Sequence, residues 1–133
     1  MNKANEYIKF TILILGDSKV GKTACFLRYI DDTFQEDFLF PTIGCFVQKI
    51  KFIKRNDKKI ELDICDFASR ENQIFVPKYA DKHSDGILLI YAINKKSSII
   101  AIKDWFNSIR EDTDVKKLAI LVMGNKIDLP KEE

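Results

Sequence analysis

Eight consecutive residues, Gly16-Asp17-Ser18-Lys19-Val20-Gly21-Lys22-Thr23, follow the spacing GxxxxGK[ST]. They stand between an apolar run, Ile12 to Leu15, and a segment whose apolar residues recur at helical spacing. In that setting successive backbone N–H groups and a helix N-terminus aim positive potential at one point, which suits a β-phosphate. Lys22 adds a point charge for the β- and γ-phosphates, and Thr23 a hydroxyl for Mg²⁺. Ala24 follows as the next residue of the same cradle. Alone, this loop implies a nucleoside triphosphate or diphosphate and leaves the base undecided.

A second stretch decides the base. Asn125-Lys126-Ile127-Asp128 follows an apolar run that ends at Met123-Gly124. A carboxylate at 128 can accept from both the ring N–H and the exocyclic amine of guanine, a two-point contact that adenine lacks. Burying that carboxylate without its donors costs on the order of a few kcal/mol, and that cost is the source of discrimination. The tetrapeptide is weak by itself; its place after a buried strand of a phosphate-loop chain gives it force.

The positioning elements are legible from apolar spacing. Ile8 to Leu15 reads as a strand with a continuously apolar second half, as in sheets covered on both faces. Lys22 to Ile30 reads as a helix with Phe26, Leu27 and Ile30 on one side. Residues 31–43, with Pro41, read as a loop. Phe46 to Ile53 and Ile60 to Cys65 flank Asn56-Asp57 and predict an antiparallel hairpin. Residues 67–85 read as a loop with a short irregular helix. Gly86 to Ile93 and Leu118 to Met123 are two more apolar strands. Between them Ile99, Ile102, Phe106 and Ile109 mark an amphipathic helix over 97–110. Strands alternating with helices predict an α/β fold: three layers, a mostly parallel sheet and one antiparallel hairpin strand.

The whole chain, 1–133, fits one domain. Hydrophobic residues make up 46% and charged residues 32%, ordinary for a soluble globular protein. The net charge of +2 carries no argument for nucleic acid, and none is expected as a partner. Cys25, Cys45 and Cys65 lie far apart with no paired spacing, and the one histidine, His83, cannot build a zinc site. Reduced thiols in a cytosolic protein are expected. No apolar run reaches membrane-spanning length, and Met1-Asn2-Lys3-Ala4-Asn5-Glu6 is too polar for a signal peptide. No C-terminal cysteine motif offers a prenyl anchor, so membrane association is expected only through a segment absent from this chain.

With the two motifs in this order, the chain resembles the first three quarters of a Ras-like small GTPase, and most of all the Rab branch. The likeness runs from Ile8 to Asp128. It also carries Phe34, Thr42 within Pro41-Thr42-Ile43-Gly44, Asp66 after Ile64-Cys65, Gly86-Ile87-Leu88-Leu89-Ile90-Tyr91, and Asp104-Trp105. The resemblance implies that Phe34 packs against guanine, that Thr42 ligates Mg²⁺ in the GTP state, and that Asp66 holds a Mg²⁺-bound water. It implies GTP and GDP as ligands, Mg²⁺ as cofactor, and a nucleotide switch in membrane trafficking. Protein effectors and regulators are the implied partners, and the cytoplasm, at the cytosolic face of endomembranes, the implied location. Independently, Gly16, Asp66 and Asn125 all follow strand ends, where ligands bind in open α/β sheets.

The pattern breaks after Asp66. The family reads D-T-A-G-Q-E there; this chain reads Asp66-Phe67-Ala68-Ser69-Arg70-Glu71. Ser69 replaces the glycine whose N–H meets the γ-phosphate, and Arg70 the glutamine that orients the attacking water. Arginine has donors only, so it cannot accept a hydrogen bond from that water. No catalytic residue is assigned, and slow intrinsic hydrolysis is expected. Arg70 stabilising the transferring phosphoryl directly is the lesser alternative. Asn72, Gln73 and Ala80-Asp81-Lys82 replace partner-facing aromatics, and Phe46 replaces an acidic residue. The chain stops at Glu133, short of the family's last strand and helices; a sheet ending there leaves apolar surface open, so the expected reading is a fragment, with cover by another segment or chain as the alternative.

Two readings of function stay open: a Rab-like switch whose loops follow the γ-phosphate, and a nucleotide-loaded scaffold that scarcely cycles. An ATP-using phosphate-loop kinase is disfavoured by Asp128. The basic run Lys49, Lys51, Lys54, Arg55, Lys58 and Lys59 reads first as a solvated hairpin edge, with an anionic membrane or an acidic partner as the alternative.

Overall fold

A computed structural model describes residues 6–34, 46–67, 84–112 and 114–130, without the side chains at 46, 47, 67, 112 and 115. Thr42, Ser69, Arg70, His83, Cys45, the Pro41 loop and the irregular helix expected before residue 85 lie outside the described residues.

The described elements alternate as expected of an α/β chain. In order they are β1 (Ile8–Leu15), α1 (Lys22–Asp31), β2 (Phe46–Arg55), β3 (Lys58–Phe67), β4 (Gly86–Ala92), α2 (Lys96–Asp112), a short 3₁₀ turn (Val115–Lys117) and β5 (Ala119–Asn125). The sheet runs β2-β3-β1-β4-β5. β1 pairs in parallel with both β3 and β4, β4 in parallel with β5, and β2 antiparallel with β3. The chain therefore moves to opposite sides of β1 in its two halves. That reversal opens a crevice beyond the carboxyl end of β1.

Strand alternation sorts the core into two layers. Leu13, Leu15, Cys65, Ile87 and Leu89 face α2, where Trp105 and Ile109 meet them. Ile14, Ile64 and Ile90 face α1 and meet Phe26, with Ile12, Leu62, Leu88 and Met123 beside them. Burying a side chain such as Leu13 or Leu89 in full contributes about 1.5–3 kcal/mol each. These layers hold the strand ends, and thus the loops, in fixed relation.

Three details differ from the sequence expectation. The buried stripe of α2 is Ser98, Ile102, Trp105 and Ile109; Ile99, one residue and about 100° round the helix, is exposed. The run at 118–123 suggests a strand covered on both faces, yet β5 is the sheet's edge and its Leu121 is 65% exposed. β3 continues to Phe67, so Asp66 is a strand residue in register with Ile14 and not a loop residue. The hairpin turn is the tight reversal expected at Asn56-Asp57: both residues hold positive φ, 50° and 62°, and Arg55 pairs directly with Lys58. Two such residues twist the way the flanking strands do.

The basic hairpin is only partly a solvated edge. Lys49 pairs with Asp31 at 3.1 Å, and the Lys51 ammonium sits 4.1 Å from the Tyr29 ring centroid. Both contacts moor β2 to the end of α1. On the α1 side of the sheet, register places Ile8, Phe10 and Leu121 beside Ile60, Leu62 and Leu88, and these first three are exposed.

Candidate nucleotide-binding site

The loop from Gly16 to Gly21 turns directly from β1 into α1, and two of its positions need glycine. Gly16 has φ +151°, and a Cβ there would run into the Ile90 carbonyl of β4. Gly21 has φ +96°, and its Cβ would strike the Asn125 side-chain amide. So the first and last loop residues are pressed against β4 and the end of β5, where no larger residue fits. Gly21 also begins α1, its carbonyl accepting from Cys25 N–H at 3.0 Å. A helix N-terminus at this point aims positive potential at the space beside the loop, which suits an anion.

Four consecutive loop carbonyls are each held by a side chain. Lys22 Nζ donates to Asp17 O at 2.7 Å, Lys95 Nζ to Ser18 O at 3.2 Å, Lys126 Nζ to Lys19 O at 2.7 Å, and Asn125 Nδ2 to Val20 O at 2.9 Å. Peptide units are planar, so a carbonyl fixed in one direction fixes the following N–H in the other. These four contacts together fix the direction of the loop's peptides.

Lys22 is 7% exposed. Burial pulls its ammonium pKa down from 10.5 to about 8, against the raising influence of Asp66 and Asp17 and with a small further push down from Lys95. A buried ammonium among partial charges is poised to gain from a phosphate.

Thr23 and Asp66 meet as the sequence order suggests. Thr23 Oγ1 donates to Asp66 Oδ2 at 2.6 Å, and Asp66 is wholly buried at the end of β3. A hydroxyl and a carboxylate side by side are hard oxygen donors of the kind Mg²⁺ prefers. Among the described residues no group of three or more His, Cys, Asp or Glu could hold a metal alone. Cys25, next to this site, has its thiol pKa raised by burial and by Asp66, so it stays protonated.

At the other end, Asp128 lies in the turn after β5, where Leu129 N–H reaches Lys126 O at 3.1 Å. Asp128, Asn125, Lys126, Lys19 and Phe34 line one cleft of about 1600 Å³, which continues along the apolar sheet face beside α1 past Ile12, Leu62 and Leu88. Phe34 follows α1, is 57% exposed, and lies under the Arg28 guanidinium, 5.8 Å from its ring centroid. Arg28 is held in turn by Asp32 at 2.9 Å. Thr42, the remaining expected ligand, lies outside the described residues.

The sequence did not point to Lys95, Arg28 or Ser98 as parts of this site. Lys95 had a positional signal, since it follows the carboxyl end of β4, and Arg28 one in its helical spacing. Ser98 is fully buried and bonds Ala92 N–H at 3.0 Å, which nothing local in the sequence announces.

Comparison with known proteins identifies the chain's family. The model of the Ras family matches residues 11–133. Ras-related protein Rab-3A of Homo sapiens is 37% identical over 123 residues, which is 92% of this chain and 54% of that protein. Ras-related protein Rab-3D of Mus musculus is also 37% identical, over 92% of this chain and 55% of its own length. Ras-related protein Rab-3B of Bos taurus is 36% identical over the same shares. The chain thus spans about half the length of the curated relatives it matches. It belongs to the Ras family of small GTPases, on the Rab-like branch.

Proposed function

We propose that this chain binds GDP and GTP with Mg²⁺ and serves as a nucleotide switch in membrane trafficking, with slow intrinsic hydrolysis. The observation that carries the reading is the union of two motifs 105 positions apart: Asn125 and Lys126 bond the carbonyls of Val20 and Lys19. One side of that union supports phosphate binding and the other supports recognition of a base.

The described residues take distinct parts. The loop N–H groups bind the β-phosphate, and Lys22 the β- and γ-phosphates. Thr23 and Asp66 would hold Mg²⁺, Asp66 through a water, with Thr42 joining in the GTP state as the family resemblance implies. That ion, when bound, neutralises phosphate charge. Asp128 selects guanine, and Phe34 packs against it. Protein effectors and regulators remain the expected partners, at the cytosolic face of endomembranes. No helix among the described residues is long and apolar enough to cross a membrane.

A second reading, a nucleotide-loaded scaffold that does not cycle, rests on Ser69 and Arg70. Titration with fluorescent GDP and GTP, with Mg²⁺ and with chelator, tests the first reading; binding of neither nucleotide refutes it. Single-turnover phosphate release then separates a slow switch from a scaffold that releases none.

A further inference from the structure

We propose that Lys95 is a positioning residue of the phosphate loop: from the segment between β4 and α2 it holds the Ser18 carbonyl and so directs the Lys19 N–H toward the nucleotide's β-phosphate. This rests on the reading above that the loop binds guanine nucleotide.

The geometry begins with a backbone that has little freedom. Lys95 N–H donates to Ala92 O at 3.1 Å, and its carbonyl accepts from Ser98 N–H at 3.0 Å and from the Ser98 hydroxyl at 2.6 Å. Ser98 is itself fully buried and accepts from Ala92 N–H, so the turn leaving β4 is stapled to the first turn of α2. The Lys95 side chain leaves this fixed point and crosses 77 positions of sequence to Ser18 O, 3.2 Å away.

Three side chains then grip three successive carbonyls: Lys95 that of Ser18, Lys126 that of Lys19, Asn125 that of Val20. The last two belong to the motif that begins at the last residue of β5. Only Lys95 extends the grip to a second segment, so both strands on that side of β1 contribute to the loop. In each planar peptide the N–H opposes the carbonyl, so the N–H groups of Lys19, Val20 and Gly21 are turned together. Lys19 is held at φ 63°, a conformation an L-residue adopts at some cost, which a clamp on each side of it offsets. Lys95 also stands close enough to Lys22 to disfavour its charge, which places a second cation beside the phosphate site. Their mutual repulsion is relieved when a multiply charged anion binds between the loop amides and Lys22.

The test uses the full chain with Lys95→Met and Lys95→Arg, and Lys22→Met as reference. Affinities for GDP and for GMP are measured by displacement of fluorescent GDP, with thermal midpoints recorded alongside. Lys95→Met is expected to weaken GDP about three- to tenfold, the fold-change one net hydrogen bond carries. GMP, which has no β-phosphate, should lose little, and Lys95→Arg should recover most of the GDP affinity. A residue that served folding alone would lower the thermal midpoint and weaken both nucleotides equally, and that result overturns the proposal. So does unchanged GDP affinity in Lys95→Met while Lys22→Met loses it. If the wild-type protein binds no GDP, the functional reading fails and this inference fails with it.

Discussion

The Lys126 ammonium stands 2.7 Å from the backbone carbonyl of Lys19, across 107 positions of sequence, and both residues hold left-handed backbone, φ 62° and 63°. Beside them Asn125 grips Val20 O and fills the space that Gly21 leaves. The base-side motif is therefore also a brace for the phosphate side. Asn125→Ala should remove one net hydrogen bond and leave a carbonyl without it, at a cost of about 1 kcal/mol in stability. GDP should also dissociate several-fold faster, because the loop amides lose their orientation. Chemical denaturation and the dissociation rate of fluorescent GDP check this together. A fall in stability with an unchanged rate would mean that the contact serves folding only.

Thr23 and Asp66 are joined by a 2.6 Å hydrogen bond, and Lys22 lies next to both. Thr23→Asn should weaken the Mg²⁺-dependent GTP state more than the GDP state. Lys22→Ala should weaken both, since it removes a charge desolvated against phosphate. Isothermal titration with each nucleotide, with and without Mg²⁺, reads the difference. Unchanged affinity for both nucleotides in Lys22→Ala would show that the loop is not the phosphate site.

Lys22 also predicts a pH dependence. Its pKa in the free protein is about 8, depressed chiefly by burial. Bound phosphate raises it, so binding takes up a proton between the free and bound values. Below pH 8 the ammonium is charged in both states and GDP affinity is flat. Above pH 8 the free protein must first gain the proton, and affinity should fall toward about tenfold per pH unit. Lys22→Arg should remove that component, since arginine keeps its charge. A fluorescent-GDP titration series between about pH 6.5 and 9 measures it, before lysines with ordinary values near 10.4 begin to titrate. A wild-type profile that stays flat would contradict the burial of Lys22. In nucleotide-free protein the same shift acts on folding. Between about 8 and 10.5 the folded state binds fewer protons than the unfolded chain, so stability rises with pH there.

The sheet and the phosphate loop were legible because each rests on local chemistry. Buried strands such as Gly86–Ala92 are apolar runs, and the glycines at 16 and 21 are where neighbouring backbone or side chain forbids a Cβ. Contacts set by long-range register were not. Lys95 meets Ser18 only because β4 lies beside β1, and the exposure of Leu121 follows from the edge position of β5. Ile99 shows the limit of reading helical spacing alone. A stripe through 99, 102, 106 and 109 and one through 98, 102, 105 and 109 differ by less than a residue of rotation. The serine at 98 hides the second, because a buried hydroxyl bonded to Ala92 does not look apolar.

The proposed slow hydrolysis rests on the residue types at Ser69 and Arg70. A Cβ in place of glycine would hinder a close backbone approach, and arginine has no acceptor for the attacking water. Losing one well-placed transition-state hydrogen bond costs roughly 10²–10³ in rate, by analogy with oxyanion-hole deletions. Arg70→Gln alone should recover little. Ser69→Gly with Arg70→Gln should recover more than the two single changes combined, because one orders the loop the other uses. Single-turnover phosphate release from preloaded protein decides it. Absence of any gain in the double variant would transfer the role to Arg70 acting on the phosphoryl group itself.

The central claim is guanine specificity at a site built from both motifs, and competitive displacement tests it most directly. Fluorescent GDP bound to the full chain in Mg²⁺ is challenged with GTP, ATP and xanthosine triphosphate. The account predicts displacement by GTP and none by ATP at the same concentration, because adenine lacks the two donors Asp128 would accept. Asp128→Asn should exchange that preference for xanthine, whose ring offers a carbonyl where guanine has its amine. A site that hydrogen-bonds its substrate rejects the analogue lacking those groups by about 10⁴–10⁵, so the contrast should be large. Equal displacement by ATP and GTP, or an Asp128→Asn variant with unaltered preference, would contradict the account.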